Sequence, residues 1–80
     1  MRERRGKMAY DYSKLSGRIA EICGTQTRFS QLMGWSERTT SMKMNCKVDW
    51  KKGEILKACS VLHISVKEIP IYFFVVKVQD

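Results

Sequence analysis

The chain has 80 residues, 15 Lys and Arg against 8 Asp and Glu, a net charge of +7 and 44% hydrophobic residues. That apolar content excludes a disordered tail, and the length allows one domain with a thin core. RERRGK followed by MAYDYSKLSGR lacks the continuous apolar run that a membrane span or signal peptide needs, so a cytoplasmic protein is expected.

Residues 1–7 form a basic N-terminal arm with four basic groups and one acid. The first helix is predicted from the stripe Tyr12, Leu15, Ile19 and Ile22, with Asp11 as its cap and Gly24 as its stop. Thr25 is the N-cap expected for a second helix, in which Phe29, Leu32 and Met33 recur at helical spacing. Gly34 supplies the left-handed conformation that ends it, and Trp35 is read as a staple closing the turn. Ser36 caps the third helix, whose early residues Glu37, Arg38, Thr39, Ser41 and Met42 are mostly polar and reach outward. Its core face is expected through Thr40 and Met44, leaving Lys43 outside.

Asp49 is the expected cap of a fourth helix with an inner face of Ile55, Leu56, Cys59 and Leu62. Gly53 weakens that helix by about 1 kcal/mol relative to alanine if it lies in the interior. Ser65 to Glu68 reads as a capping box, and Ile64 with Ile69 as a hydrophobic staple. Pro70 disfavours helical geometry at Ile69, so the fifth helix is expected to be a single turn. IYFFVVKV, residues 71–78, favours an extended strand by its aromatic and β-branched residues. It either packs over the helices, pairs with residues 7–10, or pairs with a second copy; a dimer-building strand is the favoured expectation.

The chemistry of a metal site or an enzyme is missing from this pattern. Cys23, Cys46 and Cys59 are widely spaced and contain no C-x-x-C pair, which suits reduced thiols. Cys59 and His63 lie four apart, yet two ligands do not hold a structural zinc. No Ser-His-Asp set, paired carboxylate motif or phosphate-binding glycine loop is present, so neither an enzyme nor a cofactor is expected.

Two short helices joined through Gly34-Trp35-Ser36 make a helix-turn-helix, a unit that lays its second helix in the DNA major groove. The positions Gln26, Phe29, Ser30, Gly34, Ser36, Thr39 and Asn45-Cys46-Lys47 resemble the helix-turn-helix of the bacteriophage Cro and repressor class, the XRE class. The pattern departs from that class at Cys46, where glycine is usual, at Thr40, where an aliphatic is usual, and at Lys43 and Met44, which exchange polarity. The resemblance implies an all-α, lambda-repressor-like bundle of about five short helices over residues 8–70, with residues 71–80 as an apolar C-terminal strand or tail.

It further implies a homodimer bound to a two-fold double-stranded DNA operator. In that reading Glu37, Arg38, Thr39, Ser41 and Met42 read bases, while Gln26, Arg28, Ser36, Lys43, Asn45 and Lys47 are held against phosphates. The arm, with Arg2, Arg4, Arg5 and Lys7, either enters the minor groove or is a disordered extension. The excess charge lies in the arm and in residues 25–47, each contributing +3, as suits a polyanion. The alternative is an antirepressor: a protein-binding module of the same fold that sequesters another phage regulator through its apolar tail.

Overall fold

Residues 9–77 are described in the computed structural model of the chain. The first two breakpoints lie at glycines with positive φ, Gly24 at 87° and Gly34 at 77°, where an L side chain would be strained. Around them run α1 (Ser13–Cys23), α2 (Gln26–Met33), α3 (Glu37–Met44), α4 (Lys52–Leu62), a 3-10 turn (Val66–Glu68) and α5 (Ile69–Phe73). The all-α expectation of about five short helices therefore holds. None of these helices is long and apolar enough to cross a membrane.

Leu15 and Ile19 from α1, Phe29 and Met33 from α2, Ala58, Cys59 and Leu62 from α4, Ile64, and Phe73 from α5 form the buried core. Three apolar residues assigned to inner faces lie further out. Leu56 is 51% exposed because the buried stripe of α4 runs through Ala58, Cys59 and Leu62, with Ile55 half-buried beside it. Ile22 is exposed because α1 turns Cys23 inward instead. Leu32 is exposed because Ser30 takes the inward position of α2.

The helix starts are set by hydrogen bonds that partly replace the expected caps. Thr25 and Ser36 cap α2 and α3 as anticipated, accepting from the N–H groups of Arg28 and Thr39. Tyr12, not Asp11, is the N-cap of α1, although the Asp11 carboxylate accepts from both the N–H and the hydroxyl of Ser13. At α4 the N-cap is Lys51 rather than Asp49, and Glu54 Oε1 accepts the Lys51 N–H at 2.8 Å. Gly53 thus lies in the first turn of α4, not its interior. His63 ends α4 in the left-handed region at φ 57°.

The C-terminal expectation needs the largest correction. Ile69 is helical, with φ −51° and ψ −46°, and α5 continues to Phe73, so residues 71–73 are not strand. Pro70 sits in the first turn, where its missing N–H forfeits no intrahelical bond. The chain is extended only after Phe74, where Val76 forms an isolated antiparallel bridge with Tyr10. Asp11 N–H to the Val75 carbonyl (2.7 Å) and Lys77 N–H to the Ala9 carbonyl (3.0 Å) flank it. This bridge is within the chain, at the edge of the 7–10 segment named from the sequence. The arm at 1–7, and the final residues 78–80, lie outside the described residues.

Candidate recognition site

The α2–turn–α3 unit is fixed by contacts that few of its sequence neighbours reveal. Thr40, fully buried, donates to the Ser36 carbonyl at 3.2 Å and lies 2.6 Å from Ser30 Oγ. Ser30 is itself 1% exposed and close to the Gln26 carbonyl. The hydroxyl at position 40, read from the sequence as an imperfect substitute for an aliphatic, is thus one half of a buried polar pair that satisfies itself. Trp35 packs its ring edge-to-face on Phe29 (6.3 Å) and on Trp50 (5.3 Å), which supports its reading as a staple. Trp50 in turn meets Phe73 at 5.1 Å, so the turn between α2 and α3 leans on the C-terminal helix.

Lys43 overturns its own placement. It is 4% exposed, and its Nζ donates to Glu54 Oε1 at 2.8 Å and to the Asp49 carbonyl at 2.9 Å. The ammonium also sits 5.2 Å above the Trp35 ring, within range of a cation–π contact. The inner face of α3 therefore runs through Thr40 and Lys43, with Met44 only half-buried. Burying an ammonium is tolerable here because an anion, a carbonyl and an aromatic face replace its water. Lys43 is not available to hold a phosphate.

The other proposed contact residues are distributed unevenly. Glu37 and Arg38 are exposed, while Thr39, Ser41 and Met42 are half-buried along the same helix. Ser36 and Thr39 are hydrogen-bonded to each other at 3.0 Å, and Asn45 Nδ2 donates back to the Ser41 carbonyl at 2.8 Å. Arg28 donates to Gln31 at 3.3 Å and remains exposed; Gln26 and Lys47 are exposed at either side. With Lys43 inside, α3 exposes one cation, Arg38, balanced by one anion, Glu37. The face is mostly polar and close to neutral, with the further cations Arg28 and Lys47 on its flanks.

Cys46 stands beyond the end of α3 with φ 61°, the left-handed geometry that explains why glycine is the usual residue there. Its Sγ accepts from Tyr10 N–H at 3.3 Å and lies 3.4 Å from the Tyr10 carbonyl. The turn after α3 is thereby tied to the N-terminal segment, a contact that no local pattern announced. Tyr10, Asp11, Gln26, Asn45, Cys46 and Lys77 are among the residues lining an open polar cleft of about 430 Å³ at this junction. Burial, with smaller effects from Cys46, Tyr10 and Asp49, pushes the Tyr12 phenol up to about 12. Burial also raises the Cys59 and Cys23 thiols above their ordinary range, which suits inert packed cysteines.

Glu54 gives the site a pH dependence. Burial alone would raise its carboxyl, but the hydrogen bonds from Lys43 and the Lys51 N–H, and both charges, hold it below its ordinary 4.5. A depressed folded value means the contribution is present above 4.5 and disappears as pH falls through the folded value. Asp11, lowered chiefly by its Ser13 hydrogen bonds, acts in the same direction. Denaturant unfolding at pH 7 and stepwise down to 3 is expected to show a loss of stability below about 4.5. The loss should be smaller in Glu54→Gln; an identical pH slope would show that the pair does not titrate as assigned.

Residues 8–76 match the model of the family described as Protein of unknown function (DUF739). The fold is similar to the solution structure of the modulator of repression (MOR) of the temperate bacteriophage TP901-1 from Lactococcus lactis. Identity is 57% and the TM-score 0.77, with 92% of this chain and 100% of that chain covered. Nothing among the curated proteins matches. With most of its length inside the family model, the chain belongs to the DUF739 family and is a relative of a phage modulator of repression.

Proposed function

We propose that this protein modulates repression in a phage circuit by binding another phage regulator, using a helix-turn-helix bundle as a protein-binding scaffold in the host cytoplasm. The observation that carries the reading is 57% identity, over 92% of the chain, to a protein named as a modulator of repression. The surface of α3 supports it physically. DNA binding draws most of its affinity from phosphates neutralised by Lys and Arg. Here the helix that would enter the groove offers Arg38 beside Glu37, with Lys43 withdrawn into the core. A protein partner is better served by such a face: Thr39, Ser41 and Met42 form its centre, and Gln26, Arg28, Asn45 and Lys47 its polar rim.

A second reading, direct binding of a two-fold operator as a homodimer, is favoured by the exposed Arg28 and Lys47 flanking α3 and by the net charge of +7. The two separate cleanly in solution. Mixed with the repressor encoded by the same phage, the chain should co-elute as a complex in size-exclusion chromatography with light scattering. Met42→Lys should weaken that complex by about tenfold or more, as expected for a charge placed at an interface centre. No complex, together with a two-fold footprint of the chain alone on phage DNA, would establish the second reading instead.

A further inference from the structure

The bonds around the Tyr10–Val76 bridge define which backbone groups face outward. Asp11 N–H to the Val75 carbonyl and Lys77 N–H to the Ala9 carbonyl enclose the pair from both sides. In an antiparallel ladder this makes Tyr10 and Val76 a non-hydrogen-bonded pair, so the N–H and C=O of each point away from the other strand. On the Tyr10 side both groups meet Cys46 Sγ. On the Val76 side, among the described residues, neither group has a partner. One edge of this short ribbon is closed and the other open. The open edge is apolar: Phe74, Val75 and Val76 are 49%, 41% and 46% exposed, and Ile71 on the preceding helix is 46% exposed.

We propose that the Phe74–Lys77 edge accepts, by strand addition, an extended apolar segment with acidic flanks from the regulator this chain binds. The proposal rests on the protein-binding reading above. An outward N–H and C=O on one extended residue are satisfied together by a strand, and an exposed apolar edge is the usual template for one. Charge selects the occupant. A second copy would bring another net charge of +7 and set its Lys77 near this Lys77 across the new pairing. A segment with carboxylates beside its apolar stretch meets Lys77 with opposite charge.

Val76→Pro tests this with little collateral change. It removes only the outward N–H, leaving the Val75 carbonyl and Lys77 N–H in their bonds, and proline is tolerated on an open edge after an extended residue. The probe is a short synthetic peptide of alternating valine and threonine with paired glutamates at both ends, followed by amide NMR of the full chain. Addition of the peptide should shift and protect the Val76 amide. Binding should be about tenfold weaker or worse for Val76→Pro at unchanged melting temperature, and for a lysine-ended peptide. Lys77→Glu should reverse the preference between the two peptides, which keeps the test decisive should the proline variant unfold.

Equal binding by Val76→Pro, or no binding of the glutamate peptide, overturns the proposal. So does a Val76 amide already protected in the free chain, with sedimentation distinguishing a second copy from residues 1–8 as the cover. A chain that takes the peptide at Val76 but ignores the phage repressor supports the edge assignment and sinks the functional reading alone.

Discussion

Lys43→Ala is expected to lower the unfolding free energy by about 2–4 kcal/mol, somewhat under the ~3–5 kcal/mol for breaking a fully buried ion pair because Glu54 keeps some contact with water. The loss has identifiable parts. Glu54 loses the ammonium at 2.8 Å, the Asp49 carbonyl loses its donor at 2.9 Å, and Trp35 loses the cation above its ring. A domain of this size has roughly 4–12 kcal/mol in total, so the variant should melt well below the wild type. The double variant Lys43→Met with Glu54→Gln should recover most of the loss. The substituted amide keeps an acceptor for the Lys51 N–H, and no charge is left unpaired. Urea titration decides: a single variant within about 0.5 kcal/mol of wild type would mean that the pair is a bystander.

Phe73→Ala should cost more, about 3–5 kcal/mol, the range for removing a buried aromatic. Phe73 is 1% exposed and is the one fully buried residue of α5, resting on Trp50, which in turn rests on Trp35 in the turn before α3. Damage should therefore reach the α2–turn–α3 unit and not stay at the C-terminus. Near-ultraviolet circular dichroism, which reads the edge-to-face packed indoles, should lose amplitude in Phe73→Ala before denaturant is added. Phe74→Ala, whose ring is half exposed, should leave the signal of Trp35 and Trp50 nearly intact. If both substitutions cost the same, α5 is not docked through Phe73.

The parts of this fold that can be read in the sequence are those written locally. Thr25, Gly34 and Ser36 act within three or four residues of themselves, through a cap or a left-handed turn, and each sits where the pattern puts it. Cys46 stands in a position where glycine is usual, and its φ of 61° shows why. What escapes depends on partners distant in the chain. Lysine is rarely buried, so a stripe through Thr40 and Met44 reads better than one through Thr40 and Lys43; the deciding group, Glu54, lies on another helix.

The tail misleads for a related reason. Ile71, Tyr72 and Phe73 have strong strand preference, yet the turn from Ser65 to Glu68 starts a helix just ahead of them and Phe73 completes the core. The Cys46–Tyr10 contact spans 36 residues and carries no periodic signal at all. For the candidate site, the exposed positions Glu37 and Arg38 are legible, but the neutrality of the face is not. It follows only once Lys43 is known to be inside.

Operator occupancy measures the central claim most directly. Fluorescence anisotropy of a labelled phage operator, saturated with its repressor at about 150 mM salt, reports repressor release as the chain is titrated in. The expected result is that the chain strips repressor from the operator at concentrations comparable to the repressor, while the chain alone leaves the operator signal unchanged. Specific binding of the operator by the chain alone, with repressor occupancy altered only through competition for the same DNA, would contradict it.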